Sequence, residues 1–205
     1  MIKTIIFDLG KVIVDFEYKK AVTAMLKYSQ YDKETIYQIL FGSEEYKKYM
    51  LGRVSSQRFY EIICKRLKLT CSYNKFSFIW NDIFAHRPKI DELIKKLKRN
   101  KYRLVLLSDT NKLAFEFILK NYPILNVFDE VVVSYKHNCM KPSRKIFLIA
   151  LKKAKCRPEE CIFIDDLAKN IEGARKLGIN AVQYKSYSQL VKALKEYDVK
   201  IYFLC

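Results

Sequence analysis

Short runs of apolar, β-branched residues alternate along the chain with longer segments of helical period. Five of these runs have the length of a strand: TIIF at 4–7, RLVLLS at 103–108, EVVVS at 130–134, CIFID at 161–165 and NAVQY at 180–184. Strands that alternate with helices usually form a parallel sheet with helices on both faces. The pattern therefore predicts an α/β fold built on a parallel sheet.

A long segment separates the first predicted strand from the second. Residues from about 17 to 87 are helical in pattern and rich in Tyr and Lys. Glycines or a polar stretch fall between the expected helices, at Gly42, Gly52 and 70–74. Because a simple crossover needs fewer residues, we expect a helical cap subdomain at 17–87, inserted after the first strand. The remaining residues, 1–16 and 88–205, would form a Rossmann-like catalytic core, with Pro88 in the first turn of its next helix.

The apolar runs are too short to cross a membrane, since a spanning helix needs about 20 apolar residues. Asp8 lies within what would have to be the apolar core of a signal peptide, so the first run is interpreted as a strand. The six cysteines form no CxxC pair, and the two histidines are too few for a histidine-rich zinc site. We expect a soluble, cytoplasmic protein with free thiols.

The net charge of +17 raises the question of a nucleic-acid partner. Lysine outnumbers arginine 30 to 9, the lysines are spread over many predicted helix faces, and no arginine-rich RNA-binding stretch occurs. This distribution is typical of a solvated surface. We expect no nucleic-acid and no membrane partner, a monomer or weak homodimer, and a positive field that attracts a small phosphorylated substrate.

Polar residues follow the predicted strands, where the ligand crevice of an open α/β sheet lies. In chain order they are Asp8, Ser108-Asp109, Lys141-Pro142 and Asp165-Asp166. A nucleophilic carboxylate, a hydroxyl donor, a fixed cation and further carboxylates for a hard metal are what phosphoryl transfer through an aspartyl-phosphate requires. No Ser-His-Asp, metalloprotease or P-loop pattern competes with this interpretation.

Four segments resemble the ordered motifs of the haloacid dehalogenase superfamily: FDLGKVIVDF, LLSDTN, KPSRKIF and IFIDDLAKNIEGARKLGI. They span nearly the whole chain. Within the superfamily, the chain is similar to the branch that contains bacterial α-D-glucose-1-phosphate phosphatases. The resemblance implies a Mg²⁺-dependent phosphatase that hydrolyses small phosphate monoesters, such as glucose 1-phosphate and other sugar phosphates, through an aspartyl-phosphate.

The resemblance also implies roles for the residues at the strand ends. Asp8 would attack phosphorus, and its second oxygen would bind Mg²⁺ together with the Gly10 carbonyl and the Asp166 carboxylate. Asp165 would act on the metal directly or through water. Two further groups would contact the phosphoryl oxygens: Ser108 with the backbone N–H of Asp109, and Lys141, which would also keep Asp8 ionised.

Each role has a structural alternative. Asp8 could be a turn residue, although burial of a carboxylate without partners is costly. Ser108 could cap the helix that begins near Thr110, and one of Asp165 and Asp166 could cap the helix that begins near Ala168. Lys141 could be one more surface lysine. Asn170 could steady the acidic loop or face water.

Other residues near the junction of the core and the cap subdomain, where a hinge is expected, also have two interpretations. If the chain stays extended after Asp8, Asp15 is out of reach of the phosphate. It would then be the N-cap residue of the first helix of the inserted subdomain, or it would line the hinge. The aromatic residues of this region could floor a sugar pocket or form the core of the cap: Phe16, Phe41, Tyr46 and Trp80.

Gly10 departs from the pattern of the superfamily, in which most phosphatases carry a second aspartate two residues after the nucleophile. Loss of a general acid typically costs about 10²- to 10⁴-fold in rate. The glucose-1-phosphate branch also has glycine there, and an anomeric phosphate leaves more easily than that of an ordinary alcohol. Lys11 could assist the leaving group or project into the cap interface.

Three other functions compete with the phosphatase. A carbon-halogen hydrolase is less consistent with the sequence, because dehalogenation uses the aspartate without a metal and the Asp165-Asp166 pair suits Mg²⁺. A non-catalytic phosphate-binding or regulatory module would retain the fold without turnover. A basic nucleic-acid-binding protein is the third.

Overall fold

The computed structural model describes residues 1–201, which form seven strands and eleven helices. The strands are β1 Thr4–Phe7, β2 Val14–Phe16, β3 Phe84–His86, β4 Arg103–Ser108, β5 Glu130–Val133, β6 Cys161–Asp165 and β7 Asn180–Gln183. The helices are α1 Tyr18–Met25, α2 Lys33–Phe41, α3 Glu44–Met50, α4 Ser56–Leu67, α5 Tyr73–Asn81, α6 Pro88–Arg99, α7 Lys112–Asn121, α8 Ser134–His137, α9 Arg144–Ala154, α10 Ala168–Arg175 and α11 Tyr187–Glu196. Two 3₁₀ turns occur at Pro123–Val127 and Pro158–Glu160.

Five strands form a parallel sheet in the order β5-β4-β1-β6-β7. Ile5 and Phe7 of the central strand pack on the face covered by α6, α7 and α11, whereas Ile6 packs on the face covered by α9 and α10. This alternation follows from the pleat, which turns successive side chains to opposite faces. The predicted α/β fold with helices on both faces is confirmed, and each predicted strand agrees with the structure to within one residue at its end.

A short antiparallel hairpin that the sequence pattern did not predict joins the sheet to helices α1–α5. Its two strands, β2 and β3, pair Asp15 with Ala85. The chain reverses direction just before β2, because Lys11 has a left-handed φ of 59° and the N–H groups of Ile13 and Val14 both donate to the Leu9 carbonyl. The chain therefore does not stay extended between Asp8 and Asp15, contrary to the assumption made from the sequence.

Helices α1–α5 occupy the segment predicted to be the cap, residues 17–87. Four of them begin at a side chain that accepts a hydrogen bond from the first turn, namely Asp32, Ser43, Ser55 and Ser72. Such caps satisfy N–H groups that have no partner within the helix. The apolar faces of these helices form a core of their own, which also includes Ala114 of α7. The cap segment thus rests on α7 at the carboxyl edge of the sheet.

Within residues 1–201, no helix is both long enough and apolar enough to span a membrane. The five cysteines in this range, at 64, 71, 139, 156 and 161, are free thiols. Cys205 lies outside the described residues. The expectation of free thiols is therefore met for the part of the chain that the structure describes.

Candidate active site

Three adjacent strands bring the predicted site residues to one edge of the sheet. Asp8 follows β1, Ser108 ends β4 and Asp165 ends β6. Strands β4 and β6 pair with β1 from its two sides, so their carboxyl ends lie side by side. Residues separated by more than 150 positions in sequence thereby share one site.

Lys141 is buried between two of these carboxylates. Its Nζ donates to Asp8 Oδ1 at 2.6 Å, to Asp165 Oδ2 at 2.7 Å and to the Leu107 carbonyl at 3.2 Å. Only 2% of the Lys141 side chain is exposed. Lys141 is therefore not a surface lysine, because its ammonium group is a fixed internal cation that bridges the two aspartates.

The loop that carries Lys141 is attached to the end of β4. The backbone N–H of Lys141 donates to Asp109 Oδ1 at 3.0 Å. The Asp109 side chain, which sequence reasoning overlooked in favour of its backbone N–H, thus positions the cation of the site. The signal that could have revealed it is a carboxylate directly after the polar end of a buried strand.

Asp165 already has a full set of hydrogen bonds within the protein. Its Oδ1 accepts from the Leu167 N–H at 2.9 Å, and both of its oxygens accept from Asn170 Nδ2 at 3.0 Å. Asn170 therefore steadies the acidic loop and does not face water. The N-cap of α10 is Leu167, so neither Asp165 nor Asp166 has the predicted capping position.

The net effect of burial and neighbouring charges is to raise the pKa of three groups at the site, Asp8, Lys141 and Asp166. Burial, opposed by Lys141 and reinforced by Asp165, raises the pKa of Asp8 to about 7. Burial would lower the pKa of Lys141, but Asp8, Asp165 and Asp109 together raise it above its ordinary value. Burial and the nearby Asp165 also raise the pKa of Asp166. A cation at this edge of the sheet would stabilise the ionised carboxylates.

The acidic residues are suited to a divalent metal ion. Asp8, Asp165 and Asp166 each offer an oxygen, and these atoms lie within 4.8 Å of one another. Hard cations such as Mg²⁺ prefer oxygen ligands. Since the Asp165 oxygens already accept bonds from Lys141, Leu167 and Asn170, the geometry favours Asp8 and Asp166 as direct ligands and Asp165 as their support.

Ser108 is buried at the end of β4, with 2% of its surface exposed. It does not cap the next helix, because α7 has Asn111 as its N-cap, whose side chain accepts from the Ala114 N–H. The capping alternative for Ser108 is therefore wrong. Its contact with phosphate remains a prediction.

A small pocket opens beside this edge of the sheet, under the cap segment. Its cavity volume is about 70 Å³. Residues 108–111 line one side, and side chains from the hinge and cap line the other, including Phe16, Tyr18, Tyr46 and Trp80. The hydroxyl oxygens of Tyr18 and Tyr46 are 3.2 Å apart. Of the four aromatic residues singled out in the sequence, Phe16, Tyr46 and Trp80 line the pocket and also pack in the cap core. Phe41 packs in the cap core without lining the pocket, and binding of a sugar by these rings stays a prediction.

The space around Gly10 is filled by an aromatic ring. A Cβ atom at Gly10 would lie 2.7 Å from Cε1 of Phe16, closer than carbon atoms can approach. Phe16 reaches this position because the turn at Lys11 folds the chain back over Gly10. A side chain at the position where the superfamily usually has a second aspartate would therefore require the Phe16 ring to move.

Lys11 and Asp15, the first two charged residues after Gly10, both form contacts at the hinge. Lys11 Nζ donates to Asp15 and, at 2.6 Å, to the Phe16 carbonyl. Asp15 also pairs with Arg87, at 3.0 Å from Nη2. Glu17, and not Asp15, is the N-cap residue of α1. Of the two roles expected for Asp15, the structure therefore supports that of a hinge residue.

Comparison with known proteins identifies relatives over almost the full length of the chain. A model of the haloacid dehalogenase-like hydrolase family matches residues 2–178. The chain is 29% identical over 194 residues to the D-ribitol-5-phosphate phosphatase of Bacteroides thetaiotaomicron, covering 89% of this chain and 92% of that protein. It is 30% identical over 216 residues to the glyceraldehyde 3-phosphate phosphatase of Pyrococcus furiosus, covering 96% of this chain and 87% of that protein.

The fold is similar to a crystal structure that contains both a metal ion and phosphate. This structure is a HAD family enzyme of Bacteroides thetaiotaomicron in complex with magnesium and inorganic phosphate, at a TM-score of 0.81 and 26% identity. The alignment covers 93% of this chain and 99% of that chain. Core and cap helices are thus both included in the structural similarity.

Proposed function

Because this chain belongs to the haloacid dehalogenase-like hydrolase family and is one of its phosphatases, we propose that it hydrolyses small sugar or polyol phosphates through an aspartyl-phosphate on Asp8. The buried group of Asp8, Lys141 and Asp165 beside the pocket is the observation that carries this proposal. A nucleophilic carboxylate next to a fixed cation is suited to phosphorus, because the charge on the phosphoryl oxygens must be stabilised during transfer.

Each residue of the site has its own role in the proposed reaction. The Asp8 carboxylate attacks phosphorus in line, the ester oxygen leaves, and water then hydrolyses the aspartyl-phosphate. Ser108 and the Asp109 backbone N–H donate to the phosphoryl oxygens, and the nearby Lys141 ammonium neutralises part of the charge on them. Mg²⁺, held by Asp8, Asp166 and the Gly10 carbonyl, would supply the positive charge that balances the phosphate and the acidic residues.

The pocket supports a small hydroxylated leaving group. The names of two relatives give their substrates as glyceraldehyde 3-phosphate and D-ribitol 5-phosphate, which are phosphate esters of a three-carbon and a five-carbon compound. The Tyr18 and Tyr46 hydroxyls together have two hydrogens and share one hydrogen bond, so one O–H can still donate to a substrate hydroxyl. Glucose 1-phosphate is the more specific substrate expected from the sequence, so it is included among the esters to be tested.

Two other functions make different demands on the site. A carbon-halogen hydrolase has no need of clustered carboxylates for a cation, whereas Asp166 joins Asp8 and Asp165 in one group. A non-catalytic phosphate-binding module would bind Mg²⁺ or phosphate without turnover. We place the enzyme in the cytoplasm, a proposal supported by the free thiols of the described residues.

Phosphate release from a panel of esters tests the proposal. The panel contains D-ribitol 5-phosphate, glyceraldehyde 3-phosphate, glucose 1-phosphate, glucose 6-phosphate and p-nitrophenyl phosphate, each with Mg²⁺ and with EDTA. We expect metal-dependent release that Asp8→Asn abolishes and that Asp82→Asn, an exposed aspartate of the cap segment, leaves intact. Release from none of the esters, with Mg²⁺ binding retained, would favour the binding module.

A further inference from the structure

The leaving group of a sugar or polyol phosphate needs a proton. Unlike a phenolate, an alkoxide is a poor leaving group, and a positioned acid typically accelerates its departure by about 10²- to 10⁴-fold. Such an acid must line the pocket in which the alcohol lies. This requirement rests on the proposed function, and it concerns residues other than Asp8.

Several residues near the pocket are unsuited to this role. Gly10 has no side chain, and the Phe16 ring occupies the space beside it. Lys11 donates to Asp15 and to a backbone carbonyl at the hinge. Burial raises the pKa of both Tyr18 and Tyr46 above the ordinary value for tyrosine, which makes each hydroxyl a weaker acid.

Asp109 has the chemistry and the position that the others lack. Among the described residues that line the pocket, it is the one carboxylate. Its Oδ1 accepts from the Lys141 N–H at 3.0 Å, which fixes the orientation of the group. Its Oδ2 has no hydrogen-bond partner within residues 1–201, so this oxygen is available to a substrate.

The charges around Asp109 are compatible with a proton on this carboxyl group. Burial raises its pKa, and Asp165, at the end of β6, acts in the same direction. Lys141, from the loop between α8 and α9, and Lys169, from α10, act in the opposite direction, with a net shift upward. A raised pKa brings a carboxyl group closer to the range in which it can donate a proton near neutrality.

We propose that Asp109 is the catalytic acid and base of this enzyme, in place of a side chain at position 10. As Asp8 forms its bond to phosphorus, the P–O ester bond breaks, its electron pair passes to the ester oxygen, and the Asp109 carboxyl donates its proton to that oxygen. In the second step the Asp109 carboxylate accepts a proton from water as the water oxygen attacks phosphorus. The bond between Asp8 and phosphorus then breaks, which releases inorganic phosphate and restores both side chains.

Asp109→Asn tests this role, because asparagine retains an oxygen that accepts from the Lys141 N–H but has no acidic proton. The value of kcat/KM reports only the steps up to release of the alcohol. We expect it to fall by about 10²-fold or more for D-ribitol 5-phosphate. For p-nitrophenyl phosphate, whose leaving oxygen departs as a stabilised anion, it should change by less than about threefold, while kcat falls because the second step lacks its base.

The ratio of the two kcat/KM values is independent of the fraction of variant that is folded, because both esters are measured on one sample. An equal loss for both esters would show that Asp109 only positions Lys141, and no loss for either would also overturn the proposal. Asp82→Asn is the matched control and should leave the ratio unchanged. Failure of Asp8→Asn to abolish turnover would instead contradict the proposed function itself, so the two failures are distinguishable.

Discussion

At the scale of single residues, one ammonium group connects the acidic parts of the site. Lys141 is buried between Asp8 and Asp165, and its backbone is tied to Asp109. Carboxylates buried without a partner are strongly destabilising. Lys141 therefore has a structural role that is inseparable from its proposed catalytic role, and its position couples the folding of the core to the ionisation of Asp8.

The raised pKa of Asp8 predicts how stability depends on pH in the absence of metal. The folded state binds a proton with a pKa of about 7, against 3.8 for an unperturbed aspartate. Between these values the folded protein holds a proton that the unfolded chain has released, so the Asp8 contribution to the free energy of unfolding decreases as pH rises from about 4 to about 7.

Urea unfolding in EDTA at several pH values measures this contribution. Asp8→Asn should remove it, so the difference between wild type and variant should become less favourable to wild type as pH rises over this range. A difference that does not change with pH would contradict the assignment. Excess Mg²⁺ should reduce the effect, because a metal ion stabilises the ionised carboxylate.

Gly10 and Phe16 should behave as a coupled pair. Gly10→Ala places a methyl group 2.7 Å from the Phe16 ring, and overpacking of this kind typically costs about 1–3 kcal/mol of stability. Phe16→Ala removes the obstructing ring, so the double variant should be more stable than the sum of the two single changes predicts, by about 0.5–3 kcal/mol. Additive losses in chemical denaturation would show that the ring moves away freely.

At the scale of elements, the hairpin of β2 and β3 controls where the cap segment lies. Arg87, directly after β3, donates to Asp15 of β2 at 3.0 Å and to the Tyr184 hydroxyl of the core at 3.3 Å. Lys11 binds the other oxygen of Asp15. These contacts join both hinge strands to each other and to the sheet, so the hinge is a defined network of charges.

Arg87→Ala should alter both catalysis and stability through this hinge. Substitutions at hinges often change kcat and KM together, because closure over the substrate is impaired. The Arg87 side chain is 29% exposed, so screening limits the expected loss of stability to about 1 kcal/mol. Arg58→Ala, which removes an exposed ion pair with Glu61 in α4, is the control and should cost less than about 0.5 kcal/mol with unchanged kinetics. Unchanged kinetics in Arg87→Ala would argue against a mobile hinge.

At the scale of the whole molecule, the net charge of +17 should assist the capture of anionic substrates. A positive field raises the local concentration of anions, and salt screens it over about 10 Å at 0.1 M. We expect kcat/KM for a phosphate ester to fall by roughly tenfold as NaCl is raised from low to high concentration, with kcat at saturation nearly constant. A flat salt dependence, or a loss in kcat alone, would show that the surface charge has no part in substrate capture.

Local pattern alone determined most of the architecture. Apolar runs of strand length predicted β1, β4, β5, β6 and β7 because burial on both faces of a parallel sheet requires continuous apolar residues. Polar residues at the ends of these strands were predicted to form the site, namely Asp8, Ser108 and Asp165-Asp166. The reason is that parallel strands bring their carboxyl ends to one edge of the sheet. The strands β2 and β3 were missed, since three residues are too few to show a period.

Only the tertiary structure decided the contacts that depend on how loops and turns fold. Lys141 as a buried bridge and the Asp109 carboxylate in the pocket both depend on loops whose paths no local pattern encodes. The ring of Phe16 lies against Gly10 only because the turn at Lys11 reverses the chain. Residue type and period are properties of neighbouring positions and can be read from the sequence, whereas these side-chain positions arise when separate segments pack together.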